Sequence, residues 1–486
     1  MDFPEKADEP RDKDQSETNE KPESKYDRSI IEGSLGRSVW KIAAPTILAN
    51  IFGGMQGLVD HIVVGNVVGK FGNAAIGVSW QIFLVVIVFI SSIFTGMSIL
   101  VSRFAGAGEV NKVNRTVYQA FITAVFLALG VFAPVGYFAA PYLLDIVNAE
   151  PGVQAEALPY LRVMFVFGVG MMIFFMLAGA LRSAGDAKTP MILGIVMTIL
   201  NASLSIVLIS GVGPVPSFGT KGAAMGTCIS AGVIALYSIR MLWSGKWVVT
   251  IRNDRGYAPD FTVIKQLFKF GLPAGFQGIA MNVGGVLLLS YVGSLAQSAA
   301  AQAAYSIAYG QLFSLVTWTS VGLMGAAAVI AGQNLGAKNP ERANSAVHTA
   351  AKFAFAGASF VGFFYFFVPA QLLAIFGMTE PEVVGIGVQL LRVLSISGIF
   401  VSLALTYTGG LQGTGDTKSP LYISIISQVF IPLGICFTIS QFGTLEPLHI
   451  WLAILAGHFT RCALSLIRFR QGKWRDIKVD IQTTHG

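Results

Sequence analysis

The sequence predicts an all-α polytopic membrane protein with about twelve helical spans in two pseudo-symmetric halves. Three observations carry that expectation. Hydrophobic residues make up 53% of the 486 residues and charged ones only 12%, and the mean hydropathy is +0.65, values foreign to a soluble domain. Apolar runs of ~20 residues recur along the chain, each long enough at ~1.5 Å per residue to cross a bilayer core of about 30 Å and too long for barrel strands. The second half also repeats landmarks of the first, in order. Gly185-Asp-Ala-Lys-Thr-Pro190 returns 230 residues later as Gly415-Asp-Thr-Lys-Ser-Pro420. The same offset pairs Leu161-Arg162-Val163 with Leu391-Arg392-Val393, Glu150-Pro151 with Glu380-Pro381 and Gly106-Ala107 with Gly336-Ala337.

Taken in order, the spans are expected near 39–65, 75–104, 116–140, 158–182, 190–211, 221–243, 266–293, 300–332, 348–373, 386–411, 420–441 and 449–469. The widest polar break, Gly245 to Pro259, divides them six and six. Residues 1–34 read as a disordered polar tail, 35–244 as the N-lobe, 245–262 as a linker, 263–470 as the C-lobe and 471–486 as a C-terminal tail. An even number of spans gives both copies the same topology, so an axis along the membrane normal relates them and leaves a cleft between two bundles.

Lys and Arg alternate between loops. Arg103, Lys112, Arg115, Arg182, Lys188, the 240–269 group, Lys338, Arg342, Lys418 and the Arg461–Lys478 cluster share one side, while the other shows few basic residues and several acids. The positive-inside rule then places the basic side and both termini in the cytoplasm of a cell-membrane protein. No cleavable signal peptide is expected before the first span. The formal charge of +7 is spread among loops rather than clustered, which argues against nucleic acid. Cys228, Cys436 and Cys462 fall within spans, without disulfide or metal-ligand spacing.

Function is expected where the copies differ. Asp60 lies in the apolar run Trp40–Gly65, and its counterpart 228 residues on is Leu288. A carboxylate inside a span costs roughly 2.5–3.5 kcal/mol and marks a functional-site hypothesis. Asp60 lies about 30 Å along the helix from Trp40, so an acid hydrated at the outer interface is the competing reading. Pro45 lacks an N–H and is expected to kink the same helix. Asn201 is a lone amide on an apolar helix, matched by Ile431; an interhelical hydrogen bond would explain it equally well, as packing would explain Thr227. In the Gly-Asp turns, Thr189 and Ser419 are placed to cap, with Pro190 and Pro420 at the first helical position.

His61 points about 100° away from Asp60 around the helix, and it and His458 read as structural. The second half offers Gln277, Asn282, Gln302, Tyr305, Tyr309, Gln311 and Trp318 as a candidate cavity lining for bulky, partly apolar ligands. A Walker loop, a metal cluster and a nucleophile–base pair are all missing from the spans. No enzyme activity, metal or cofactor is therefore expected, and the energy must come from an ion gradient.

The Pro45–Asp60 segment ending LVDHIVVG, the turns ALRSAGDAKTP and GLQGTGDTKSP, and the KGAAMGT start of the sixth span resemble multidrug and toxic compound extrusion (MATE) transporters over about residues 35–470. The resemblance implies a MATE-type fold and proton- or sodium-coupled efflux of organic cations and amphipathic compounds by rocking of the lobes. One chain suffices to form the cleft. It is closest to the DinF-like branch, in which the aspartate at Asp60 takes the coupled ion and the proline at Pro45 is associated with bending. Asn201, Thr227 and Tyr160 stand where the branch has its asparagine, threonine and tyrosine. Ser205 stands where the branch typically carries a second aspartate, and the glutamate of NorM-like members in the seventh span is absent. The alternative within transport is a flippase or exporter of a lipid-linked metabolite, which would need a cationic central cavity.

Overall fold

The computed structural model describes residues 26–251 and 258–481. Most of the polar segment 1–34, the middle of the 245–262 linker and the last five residues of the 471–486 tail lie outside these. The N-terminal half contains α1 (Leu35–Val67), α2 (Lys70–Gly106), α3 (Val110–Ile146), α4 (Pro151–Phe167), α5 (Val169–Ser183), α6 (Lys188–Ser210) and α7 (Thr220–Trp243). The second half contains α8 (Phe261–Gly293), α9 (Ser298–Gly336), α10 (Pro340–Phe367), α11 (Pro381–Thr414), α12 (Lys418–Phe442) and α13 (Pro447–Arg470). Among the described residues eleven helices are each long and apolar enough to cross a membrane, and α4 with α5, bent by 51°, counts as a twelfth if the pair is one span. The bend falls at Gly168, with Pro159 about two and a half turns earlier. It was not foreseen, since hydropathy does not register a break that keeps both halves apolar.

Local chemistry sets the helix ends. Proline occupies the first turn of α4, α10, α11 and α13, where its missing N–H has no helical partner to lose. Asp260 caps α8 by accepting from the backbone of Thr262 and Val263. In the repeated turns Gly185 and Gly415 take φ of +104° and +100°, a backbone region that disfavours any side chain. The capping there differs from the expectation. Asp186 Oδ1 accepts from Thr189 N at 3.0 Å and Asp416 Oδ1 from Ser419 N at 3.2 Å; the carboxylate reaches the open backbone donor from upstream, and each proline sits at the third helical position. Pro45 does not break α1, which runs unbroken through it from Leu35 to Val67; only the bond from residue 45 to the Lys41 carbonyl is lost.

Each half has its own apolar core, and a third cluster joins them at the basic end. There Val39 and Ile42 of α1 pack with Leu323 and Ile330 of α9 and Val347 of α10, so the helix bearing Asp60 straddles the seam between lobes. The repeat-related glycines meet reciprocally on this seam. A Cβ on Gly106 would lie 1.9 Å from Gln333 O, and one on Gly336 would lie 2.0 Å from Arg103 O. Neither position tolerates a methyl group without backbone movement.

The chain ends are folded against this basic end over part of the stretches expected to be polar tails. Residues Ser29–Glu32 form one helical turn, with Ile30 buried in the joint cluster and Tyr26 against the N-lobe core. Beyond α13, Trp474 is buried, stacks on Phe469 at 5.1 Å and donates to the Phe469 carbonyl. Ile477 and Val479 then pack on the N-lobe core, and Arg103 donates to the Ile477 carbonyl at 2.7 Å. Single apolar residues in polar surroundings anchor both segments, a pattern too sparse to stand out in a composition scan.

Candidate functional site

A cavity of about 640 Å³ lies along α1 between α6, α7 and α9. From α1 it takes Asn50, Gly53, Gln56, Gly57, Asp60 and His61. These small and polar residues at three- and four-residue spacing form one face of the helix. Asp60 is 5% exposed and lines this cavity rather than an open interface. Its Oδ1 makes no hydrogen bond among the described residues.

Three further elements bring the expected partners to it. On α6, Asn201 and Ser205 are one turn apart and both fully buried. On α7, Thr227 accepts a hydrogen bond from Asn201 Nδ2 at 3.0 Å. Gly226 makes that packing possible, since a Cβ there would lie 2.8 Å from Ser205 Oγ. Tyr160 of α4 and Thr227 line the same cavity as Asp60. Asn201 Oδ1 and Ser205 Oγ, like Asp60 Oδ1, are buried without a hydrogen-bond partner. Three unpartnered oxygens in one polar cluster form a set that a proton or a small cation would satisfy.

Pro45 and Trp318 line the same cavity. The Trp318 carbonyl accepts from Asn50 at 3.3 Å, and its ring lies against Gly54. His61, expected to pack, is exposed, faces the cavity and bonds Asn73 of α2. Trp80, Phe174, Phe175 and Arg182 complete the wall; none was singled out as a site residue. The polar stripe Asn50–Gln56–Asp60 was legible as a pattern, whereas the aromatic residues of α2 and α5 carry no signal that separates cavity from core.

The other second-half candidates do not join this cavity. Asn282, Tyr305 and Tyr309 line a separate pocket of about 310 Å³ with Gln428 and His458. Gln277 is buried elsewhere, donating to Ser424 at 2.8 Å and accepting from Gln412 at 3.0 Å. Gln302 and Gln311 are exposed. Arg461, counted from sequence with the basic cluster at the inner end, is instead 3% exposed within α13. Among the described residues no group of three or more His, Cys, Asp and Glu side chains is placed to hold a metal.

The geometry agrees with the comparisons. The MatE family model matches residues 45–207 and again 273–438, one match per half. The "Probable multidrug resistance protein NorM" of Thermotoga maritima is 25% identical over 446 residues, covering 89% of this chain and 92% of that protein. The "Probable multidrug resistance protein YoeA" of Bacillus subtilis is 26% identical over 446 residues, covering 91% and 95%. Among solved structures, a MOP superfamily transporter from Pyrococcus furiosus superposes with a TM-score of 0.83 at 21% identity, over 92% of this chain and 97% of that one. An outward-facing multidrug resistance MATE family transporter of the MOP superfamily superposes equally well, at 0.83 and 21% over the same shares. With two matches to one family model, both on the expected repeats and together spanning well over half the sequence, the chain belongs to the MatE family of multidrug and toxic compound extrusion transporters.

Proposed function

We propose that the protein is an ion-coupled antiporter of the DinF-like branch that exports organic cations and other amphipathic compounds, with Asp60 carrying the coupled ion. The observation that carries this reading is the buried Asp60 carboxylate, whose Oδ1, like Asn201 Oδ1 and Ser205 Oγ, has no hydrogen-bond partner among the described residues. A proton on Asp60 supplies a donor where only acceptors and hydroxyls converge; Na⁺ would have to be held with one full negative charge. The lone acid therefore favours H⁺ over Na⁺.

Exchange follows from the cavity's shape. Asp60, Trp80, Phe174 and Phe175 line one space, so an aromatic cation and a proton compete for the same carboxylate. Loading one expels the other, and rocking of the lobes exposes the loaded site to opposite sides in turn. The basic end is taken as cytoplasmic by its Lys and Arg content, with both termini there and the protein in the cell membrane. With the lobes in contact at that end, this orientation makes the conformation an outward-facing one. The lobes comprise residues 35–244 and 263–470, and a monomer suffices.

The test is transport in proteoliposomes with a pH gradient and a Na⁺ gradient imposed separately. The expected result is organic-cation flux driven by the pH gradient alone and lost in Asp60→Asn. Unchanged flux in that variant would overturn the assignment of Asp60, and flux driven only by Na⁺ would overturn the proton. The flippase alternative requires a cationic central cavity, and Arg461 is a buried cation at mid-span. It lies in the C-lobe away from the Asp60 chamber, however, and lipid-linked pyrophosphate calls for several such groups.

A further inference from the structure

The N-lobe carries another large hollow on its outer wall, back to back with the Asp60 cavity. It measures about 620 Å³ and lies between α4, α5 and α7. Helix α7 is the partition: Thr227 and Ala231 face the Asp60 cavity, and Cys228 and Gly232 face this hollow. Its rims are Phe167 of α4 with Ile229 and Leu236 of α7, all exposed on the surface of the bundle. Its floor is small, because Gly170 and Gly232 let the backbones of α5 and α7 touch; a Cβ on Gly170 would lie 2.7 Å from Gly232 Cα. Large side chains flanking a glycine floor make a trough. It sits at the 51° bend, with the residues on either side of Gly168 both in its wall.

The other lobe has filled the matching place. At the 230-residue offset Gly170 corresponds to Phe400, whose ring meets Phe459 of α13 edge-on at 5.2 Å. Helix α11 runs unbroken through Gly398, the counterpart of Gly168. An aromatic pair on a continuous helix closes the surface there, whereas a glycine beside a bend leaves it open. Water finds no polar partners in so apolar a trough, and an empty one forfeits dispersion contacts. In a bilayer its occupant is hydrocarbon.

One charge says which kind of hydrocarbon. Lys221 lines the trough from the first turn of α7, at the opposite end from Arg240 and the basic end of the molecule. It takes part in none of the ion pairs among the described residues. From Lys221 to Gly232 is eleven residues, roughly 16 Å of helix and so about half of a bilayer core of ~30 Å. An ammonium above a trough one leaflet deep matches a phosphate above an acyl chain.

We propose that the trough is a binding site for one acyl chain of an anionic phospholipid, with the phosphate on Lys221 and the tip of the chain over Gly232. A zwitterionic headgroup brings a cation of its own and gains less from the lysine. The site does not depend on the coupling role of Asp60.

Fluorescence quenching in phosphatidylcholine proteoliposomes tests it. Ile229→Trp places a reporter on the rim, and Val233→Trp places one on the exposed neighbouring face outside the trough. Each is read as the difference from the parent protein, whose seven tryptophans are common to both. Phosphatidylglycerol brominated on its chain should occupy the site at the rim reporter about fivefold more strongly than brominated phosphatidylcholine, and the outside reporter should show no preference. Lys221→Gln should erase the preference at the rim. Gly232→Leu should erase it too, since a Cβ there meets nothing within 4 Å and the new side chain enters the trough without a clash. Asp60→Asn should leave it intact, which keeps this outcome separate from that of the antiport assay. The proposal is overturned if both reporters show the same preference, or if the preference survives Lys221→Gln or Gly232→Leu. A brominated fatty acid that matches the phospholipid would overturn the phospholipid as the source of the chain, and displacement of the brominated lipid by an organic cation would overturn the lipid site in favour of a transport pathway.

Discussion

The two lobes are copies that kept their framework and diverged in their cavities. Their connecting turns are nearly superimposable in kind, with Gly185 and Gly415 at the same positive φ and Asp186 and Asp416 accepting from the same backbone position. Their glycines at 106 and 336 fit into each other's lobe. In the cavities the resemblance ends. The N-lobe buries an acid in one cluster with Asn201, Ser205 and Thr227, and the C-lobe pocket has Leu288 at the matching position, with Tyr305 and Tyr309. Helix packing constrains the backbone seam in both copies, whereas a cavity wall is free to diverge because it is not filled by a neighbour.

The sharpest way to break this comparison is to move the acid. Asp60→Asn should reduce gradient-driven flux to background in proteoliposomes, a loss of about 100-fold or more, because no other acid among the described residues lines that cavity. Leu288→Asp added to that variant should not restore flux, since the second pocket is lined by Tyr305, Tyr309 and His458 instead of the Asn201–Thr227 cluster. Recovery of flux in the double variant would show that the lobes are interchangeable.

Smaller effects test the shared framework. Gly336→Ala places a methyl group against the Arg103 carbonyl and should cost about 1–3 kcal/mol in thermal stability, with a several-fold drop in flux as closure at the basic end is impaired. Gly106→Ala should match it if the seam is as symmetric as the geometry indicates. Asn201→Ala removes the bond to Thr227 and should cost about 1–2 kcal/mol and lower flux without abolishing it. At the far end of the scale, Arg475→Ala breaks the exposed pair with Glu341 and the cation–π contact with Trp474 and should change stability by no more than about 1 kcal/mol.

Much of this was legible in the sequence for a physical reason. Lipid demands long apolar helices, so hydropathy alone locates the spans, and an acid in such a run stands out by its cost. Asp60 and Asn201 were found that way. Arg461 was not, because a basic residue near the inner end of a last span is ordinary, and only helix rotation and depth distinguish a snorkelling arginine from a buried one. Ser205 and Thr227 are common packing residues in membrane helices, and only three-dimensional proximity brings them to Asp60. The bend at Gly168 and the docked residues Tyr26, Ile30 and Trp474 escaped because each turns on one side chain or one peptide unit, below the resolution of a window average.

The segment after α13 leaves the C-lobe and ends on the N-lobe, where the Ile477 carbonyl accepts from Arg103. It is thus a tether across the joint between the lobes at the basic end, the joint that opens in the proposed inward turn. Its slack limits how far the lobes can swing, and every cycle must either detach Ile477 and Val479 or carry them along. A donor–acceptor dye pair spanning that joint would report each opening directly, and a bulky tag inserted before Trp474 would shorten the stroke of the machine.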